Sequence, residues 1–157
     1  MPKRHPSLIP ISRDHHDGLV LAVRLRQGKK ALLGDWSHDP SWQANHVVQF
    51  FHRRLIPHFE AEEKALFPTM KKCVKESVKT LDTLLNQHEE LKARVEKLES
   101  PNQMNLEVEL KDFGDLLERH IRIEENNLFP MFEESIPEDI AEEVGREIAR
   151  IDKANVG

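Results

Sequence analysis

Two stretches, His58-Phe59-Glu60-Ala61-Glu62-Glu63-Lys64-Ala65-Leu66-Phe67-Pro68-Thr69-Met70 and His120-Ile121-Arg122-Ile123-Glu124-Glu125-Asn126-Asn127-Leu128-Phe129-Pro130-Met131-Phe132, follow one pattern, H-x-x-x-E-E-x-x-L-F-P. The H-x-x-x-E element alone carries little weight, because 9 His and 19 Glu bring such pairs together by chance. The trailing L-F-P in both copies lifts the match above coincidence. Residues four apart on a helix share one face, about 6 Å apart along the axis, so an imidazole and a carboxylate at that spacing reach into one volume. Two such helices facing each other offer two imidazoles and two carboxylates. The carboxylates can bridge a pair of metal ions and cancel charge that apolar walls would not tolerate.

Working outward, each repeat is preceded by a helical stretch with a histidine of its own: His88 in Leu84-Leu85-Asn86-Gln87-His88, and the pair His15-His16. The order is His, H-x-x-x-E, His, H-x-x-x-E, one donor set per helix of a four-helix bundle. The candidate ligands are therefore His15 or His16, His58, Glu62, His88, His120 and Glu124. Four imidazoles and two carboxylates suit two octahedral-leaning iron ions with open positions better than one tetrahedral zinc. Periodicity leaves the first ligand open: His15 shares a face with Ile11, Leu19 and Ala22, and His16 with Leu19, Val20 and Val23. His5, His38, His46 and His52 read as surface or packing residues. Neither the Glu-x-x-His of ferritin-like carboxylate sites nor H-E-x-x-H occurs around these histidines.

The remaining sequence reads as helix throughout, with no alternating β-branched runs between turn signals. Helices are expected over about 12–33, 41–77, 78–98 and 104–134, with Pro57 and Pro68 kinking the second. Short connections favour an up-and-down antiparallel four-helix bundle. A short fifth helix over about 137–153 carries Ile140, Val144, Ile148 and Ile151, a stripe to be buried on the bundle or on a partner copy, which leaves a homodimer open. One domain over 1–157, with its core at about 8–134, accounts for the chain.

Composition narrows the function. With 157 residues, 38% hydrophobic and 32% charged, and mean hydropathy -0.60, the chain reads as a soluble globular protein. A net charge of -5 and scattered Lys and Arg argue against nucleic acid as a partner. The longest later apolar run, Leu19 to Val23, is far too short for a membrane span, and no secretory core follows Met1 to Pro6, so the cytoplasm is the expected location. The single cysteine, Cys73, excludes an internal disulfide or a cysteine-ligated cluster built by this chain alone and reads as a half-buried free thiol. Tyrosine is absent, so neither a tyrosyl radical nor a tyrosinate ligand is available.

On these residues the sequence resembles the hemerythrin-like family, whose cation-binding domain carries H…HxxxE…H…HxxxE on a four-helix bundle; the resemblance spans about residues 8 to 134. It implies a non-haem di-iron cofactor, two oxo- or hydroxo-bridged iron ions. His58, His88 and His120 would be terminal ligands, Glu62 and Glu124 bridging carboxylates, and His15 or His16 the first-helix ligand. Oxygen-carrying members have a further histidine one turn after the third-helix ligand, where Lys92 stands here, and an aspartate as last carboxylate, so reversible oxygen carriage is not implied. The expected partners are a small diatomic ligand, oxygen or nitric oxide, or peroxide, which the protein binds or senses, unless it holds iron. A di-iron enzyme reducing nitric oxide or peroxide and a metal-free helical interaction module are the alternatives.

Overall fold

The computed structural model describes residues 3–27, 34–100 and 105–156, and among them every regular element is helical. Helix α1 spans Ile9–Gln27, preceded by one 3-10 turn at Pro6–Leu8. The expected end of the first helix near Leu33 lies outside the described residues. The second long helix is continuous but not uniform: α2 (Pro40–Phe50), α3 (Ile56–Ala61) and α4 (Phe67–Cys73) are joined by π-helical turns at Phe51–Leu55 and Glu62–Leu66. Asp39 caps α2 by accepting the Ser41 N–H. Helix α5 (Val78–Leu98) has the expected bounds. Helix α6 (Leu106–Ile123) passes through a third π turn, Glu124–Leu128, into α7 (Phe129–Ser135), and α8 (Glu138–Val156) closes the chain.

The prolines where kinks were expected stand beside widened turns. Pro57, Pro68 and Pro130 each stand two residues beyond the end of a five-residue π turn. In each case the residue before the proline closes the turn: Ile56 N–H donates to Phe51 O, Phe67 N–H to Glu62 O, and Phe129 N–H to Glu124 O. The wider turn makes room for a ring that would strike the preceding carbonyl in an α-helix. Two of the three π turns begin at the glutamate of an H-x-x-x-E element.

Packing follows the apolar stripes. On α5 the buried set is Leu81, Leu84, His88, Leu91, Val95 and Leu98, so the histidine occupies a regular core position. Helix α1 lies along α6, α6 along α5, and α2 against both α5 and α6. Gly114 permits the α1–α6 approach: a Cβ there would stand 3.1 Å from Leu25 Cβ and 3.3 Å from the Ala22 carbonyl. Two apolar clusters result. One gathers Leu8, Ile11, Leu66, Met70, Leu84, Leu128 and Phe132; the other gathers Leu21, Leu25, Phe51, Phe59, Leu91, Phe113 and Leu117.

Helix α8 settles its stripe on its own chain. Val144, Ile148 and Ile151 are buried in the first cluster, Ile140 only partly, and α8 packs against α3, the Glu62–Leu66 turn and the Pro6–Leu8 turn. Ser7 Oγ donates to Ala141 O at 2.7 Å, and Gly145 faces the same serine so closely that a Cβ would lie 2.5 Å from its Oγ. Cys73, expected half-buried, is exposed as the last residue of α4, where the chain leaves the helix through extended backbone at Val74. Among the described residues no helix is long and apolar enough to cross a membrane.

Candidate metal centre

Between the two apolar clusters lies a layer of buried polar side chains: His15, His58, Glu62, His88, His120 and Glu124, with both glutamates 0% exposed. The order along each helix puts it there. Helix α1 runs from Ile11 through His15 to Leu21, and α5 from Leu84 through His88 to Leu91, so each crosses from one cluster to the other at its histidine. Four of these residues, His15, His58, Glu62 and Glu124, can bring ligand atoms within 4.8 Å of one another, and Glu62, His88 and His120 can do the same. Glu62 belongs to both groups. Glu124 Oε1 lies 2.9 Å from His15 Nε2 and 3.4 Å from His120 Nε2, and thus also reaches both sides.

His16, the other first-helix candidate, is exposed and lines a surface groove with Leu19, Val20 and Val23. Of the remaining histidines, His5 bonds Glu138, His46 stacks on Trp42, and His52 pairs with Glu99, all away from the layer.

The outer nitrogens of the four imidazoles show a second order that the sequence reading missed. His88 Nδ1 donates to Glu63 at 2.8 Å and His15 Nδ1 to Glu125 at 2.6 Å, so the second glutamate of each H-x-x-x-E-E holds the lone histidine of a neighbouring helix. His58 Nδ1 donates to Asp14 Oδ2 at 3.1 Å and His120 Nδ1 to Gln87 Oε1 at 2.8 Å. Asp14 precedes His15 and Gln87 precedes His88. With every Nδ1–H directed outward, every Nε2 faces the layer's interior, the orientation that outer-shell partners impose on metal-binding imidazoles. The doubled glutamate in both repeats was the available signal for Glu63 and Glu125.

The phenylalanine of each L-F-P also acquires a role. Phe129 stacks on His15 at 5.6 Å and 9°, and Phe67 on His88 at 5.7 Å and 17°, while Phe59 also stacks on His88, at 3.8 Å. Leu66 and Leu128 fill the core beneath them.

Electrostatics in this layer set burial against the mutual attraction of imidazoles and carboxylates. Burial opposes a charged Glu62, yet the adjacent His58 charge, the nearby His120 imidazole and the hydrogen bond with His88 hold its carboxyl well below the usual range. Burial likewise works against a charged His58, but Glu62 and Asp14 raise it to about 10. Burial prevails at His120, lowered to about 4, and lowers His15 as well. Glu62 Oε2, Glu124 Oε2 and His120 Nε2 are buried without a hydrogen-bond partner. Orphaned acceptors converging beside buried carboxylates are what a bound cation would satisfy, so the residues present fit a metal.

A family model, the Hemerythrin HHE cation binding domain, matches residues 7–132. No curated protein and no solved structure matched the chain.

Proposed function

The chain belongs to the hemerythrin HHE cation-binding family, and from that premise we propose that it is a non-haem di-iron protein. It binds or senses oxygen, nitric oxide or peroxide, or holds iron, in the cytoplasm, on a bundle of up-and-down order. The observation that carries the reading is the sharing of Glu62 between two donor groups, with Glu124 also within reach of both sides. His15, His58, Glu62 and Glu124 would hold one ion and Glu62, His88 and His120 the other. Bound iron would supply one-electron redox chemistry and open positions for a small ligand.

The protein's own residues do the rest. Phe59, Phe67 and Phe129 stack on the imidazoles and, with the two apolar clusters, keep bulk water from the layer. Glu63, Glu125, Asp14 and Gln87 fix the tautomer by accepting hydrogen bonds from Nδ1–H. Asp14 also borders a cleft of about 340 Å³ with Arg13, Arg54 and Asp152, giving the His58 Nδ1 proton a contact with solvent. With no tyrosine in the chain, no phenolic hydroxyl stands ready to donate to a bound ligand. Lys92 is exposed beside the cleft outside His88 and contributes no ligand. Reaction followed by a stable oxidised state therefore fits better than reversible carriage.

Metal analysis with absorption spectroscopy tests the reading. About two iron ions per chain, near-ultraviolet charge-transfer bands and lowered melting on chelation are expected. At most one ion per chain at full loading would overturn it. Admitting air to the anaerobically reduced protein tests the reactivity: irreversible oxidation is expected, and a bound form that bleaches when oxygen is withdrawn would restore the carrier reading.

A further inference from the structure

The two halves of the metal layer share one plan of outer contacts but differ in acceptor type at one pair of matching positions. In each half, the residue before the lone histidine accepts the outer N–H of the H-x-x-x-E imidazole on the next helix: Asp14 for His58, Gln87 for His120. One acceptor is a carboxylate and the other a neutral carboxamide. The other two outer acceptors, Glu125 and Glu63, are both carboxylates and do not distinguish the halves. An anionic acceptor makes the imidazole a stronger donor to a metal, and a neutral one does so less. The ligand groups differ in the same sense. The Asp14 side gathers four donors, His15, His58, Glu62 and Glu124, within mutual reach, and the Gln87 side three, Glu62, His88 and His120.

We infer that the two metal positions are unequal and that Asp14 and Gln87 set the difference: the position bounded by His15 and His58 binds its ion tightly, and that bounded by His88 and His120 is the exchangeable one. This inference rests on the dinuclear reading above. Neither residue enters the layer, so both are positioning residues acting through His58 and His120. Asp14 is 38% exposed on its side chain and Gln87 half-buried, so an isosteric change at either leaves the core undisturbed. Asp14 Oδ1 also lies 3.7 Å from Arg54, which leaves Oδ2 for His58.

Calorimetric titration of the metal-free full chain with Co(II) alone, followed in parallel by visible absorption, tests this. Two binding events are expected in the parent protein. Asp14→Asn should weaken the tighter event about 10–100-fold, and Gln87→Glu should strengthen the weaker one by about tenfold, the range for outer-shell changes at metal sites. The double variant D14N/Q87E should exchange the order of the two absorption signatures. If Q87E acts on the tighter event, or D14N shifts both events equally, the assignment is overturned while the dinuclear reading stands. A parent protein that binds a single ion overturns both. Circular dichroism of each metal-free variant checks its fold, and Q87E alone decides the question if D14N does not fold.

Discussion

Glu63 Oε2 holds the outer nitrogen of His88 at 2.8 Å while its neighbour Glu62 meets the inner nitrogen of the same ring at 3.0 Å, so two consecutive residues of one helix grip both ends of an imidazole on another. Consecutive helical residues diverge by about 100°, and the π turn that starts at Glu62 provides the backbone on which this pincer forms. Glu63→Ala should leave the fold intact, because the side chain is 45% exposed. It should lower the affinity of the His88 position about 10–100-fold. Affinity unchanged in a metal titration would remove the orienting role.

Glu62→Ala should abolish both metal ions, whereas His88→Ala should loosen one, because only Glu62 belongs to both donor groups. Metal per chain after gel filtration reads this directly. Equal, independent loss in the two variants would contradict a shared carboxylate.

Stability of the metal-free protein should fall away on both sides of a near-neutral maximum, close to the unfolded imidazole value of 6.5. His58, raised to about 10, contributes stability that is complete below the unfolded value of 6.5 and is lost as pH rises through about 10. His120, lowered to about 4, acts oppositely: below 6.5 the unfolded chain takes up a proton that the folded protein refuses, so stability declines as pH drops toward 4. His15 adds to that acid loss. Thermal melts from pH 4 to 11 measure this, and melting temperatures that climb steadily to pH 11 would refute it.

Metal uptake at pH 8 should release protons, because His58 carries one there when metal-free and must present a bare Nε2 to a metal. Calorimetry in two buffers of different ionisation enthalpy gives the number. A net release of zero would mean that His58 is not a ligand.

Gly145→Ala should destabilise the protein by about 1–3 kcal/mol, the usual cost of overpacking. Its Cβ would meet Ser7 Oγ at 2.5 Å and Ser7 Cβ at 3.0 Å, and the serine is pinned by its bond to Ala141. Denaturant unfolding checks this; a gain in stability, as expected of glycine replacement in an open helix, would show that α8 docks more loosely.

Much of this architecture is legible in the sequence because hydrophobic spacing and ligand spacing coincide. The stripe from Leu81 to Leu98 sets α5 with His88 inside it, and the repeated H-x-x-x-E-E-x-x-L-F-P marks both halves of the layer. Helical periodicity could not choose between His15 and His16, since each shares a face with apolar residues. Burial distinguishes them, with Ile11, His15, Gly18 and Ala22 all turned inward. The π turns were illegible because a proline inside a helical pattern is compatible with a kink or a bulge, and local sequence does not choose. Asp14 and Gln87 escaped notice because their roles depend on contacts with other helices and their residue types differ.

The crossed grip of Glu63 on His88 and Glu125 on His15 ties the two halves of the chain together. Each half of the chain, α1 with the α2–α4 helix and α5 with the α6–α7 helix, carries an inner acid, an outer acid and two imidazoles, yet each lends its outer acid to the other and receives one back. The exchange is reciprocal. A chain cut between Cys73 and Val78 would yield two fragments, neither able to orient its own lone histidine, whose reunion is self-checking: only the matched pair restores all four outer contacts.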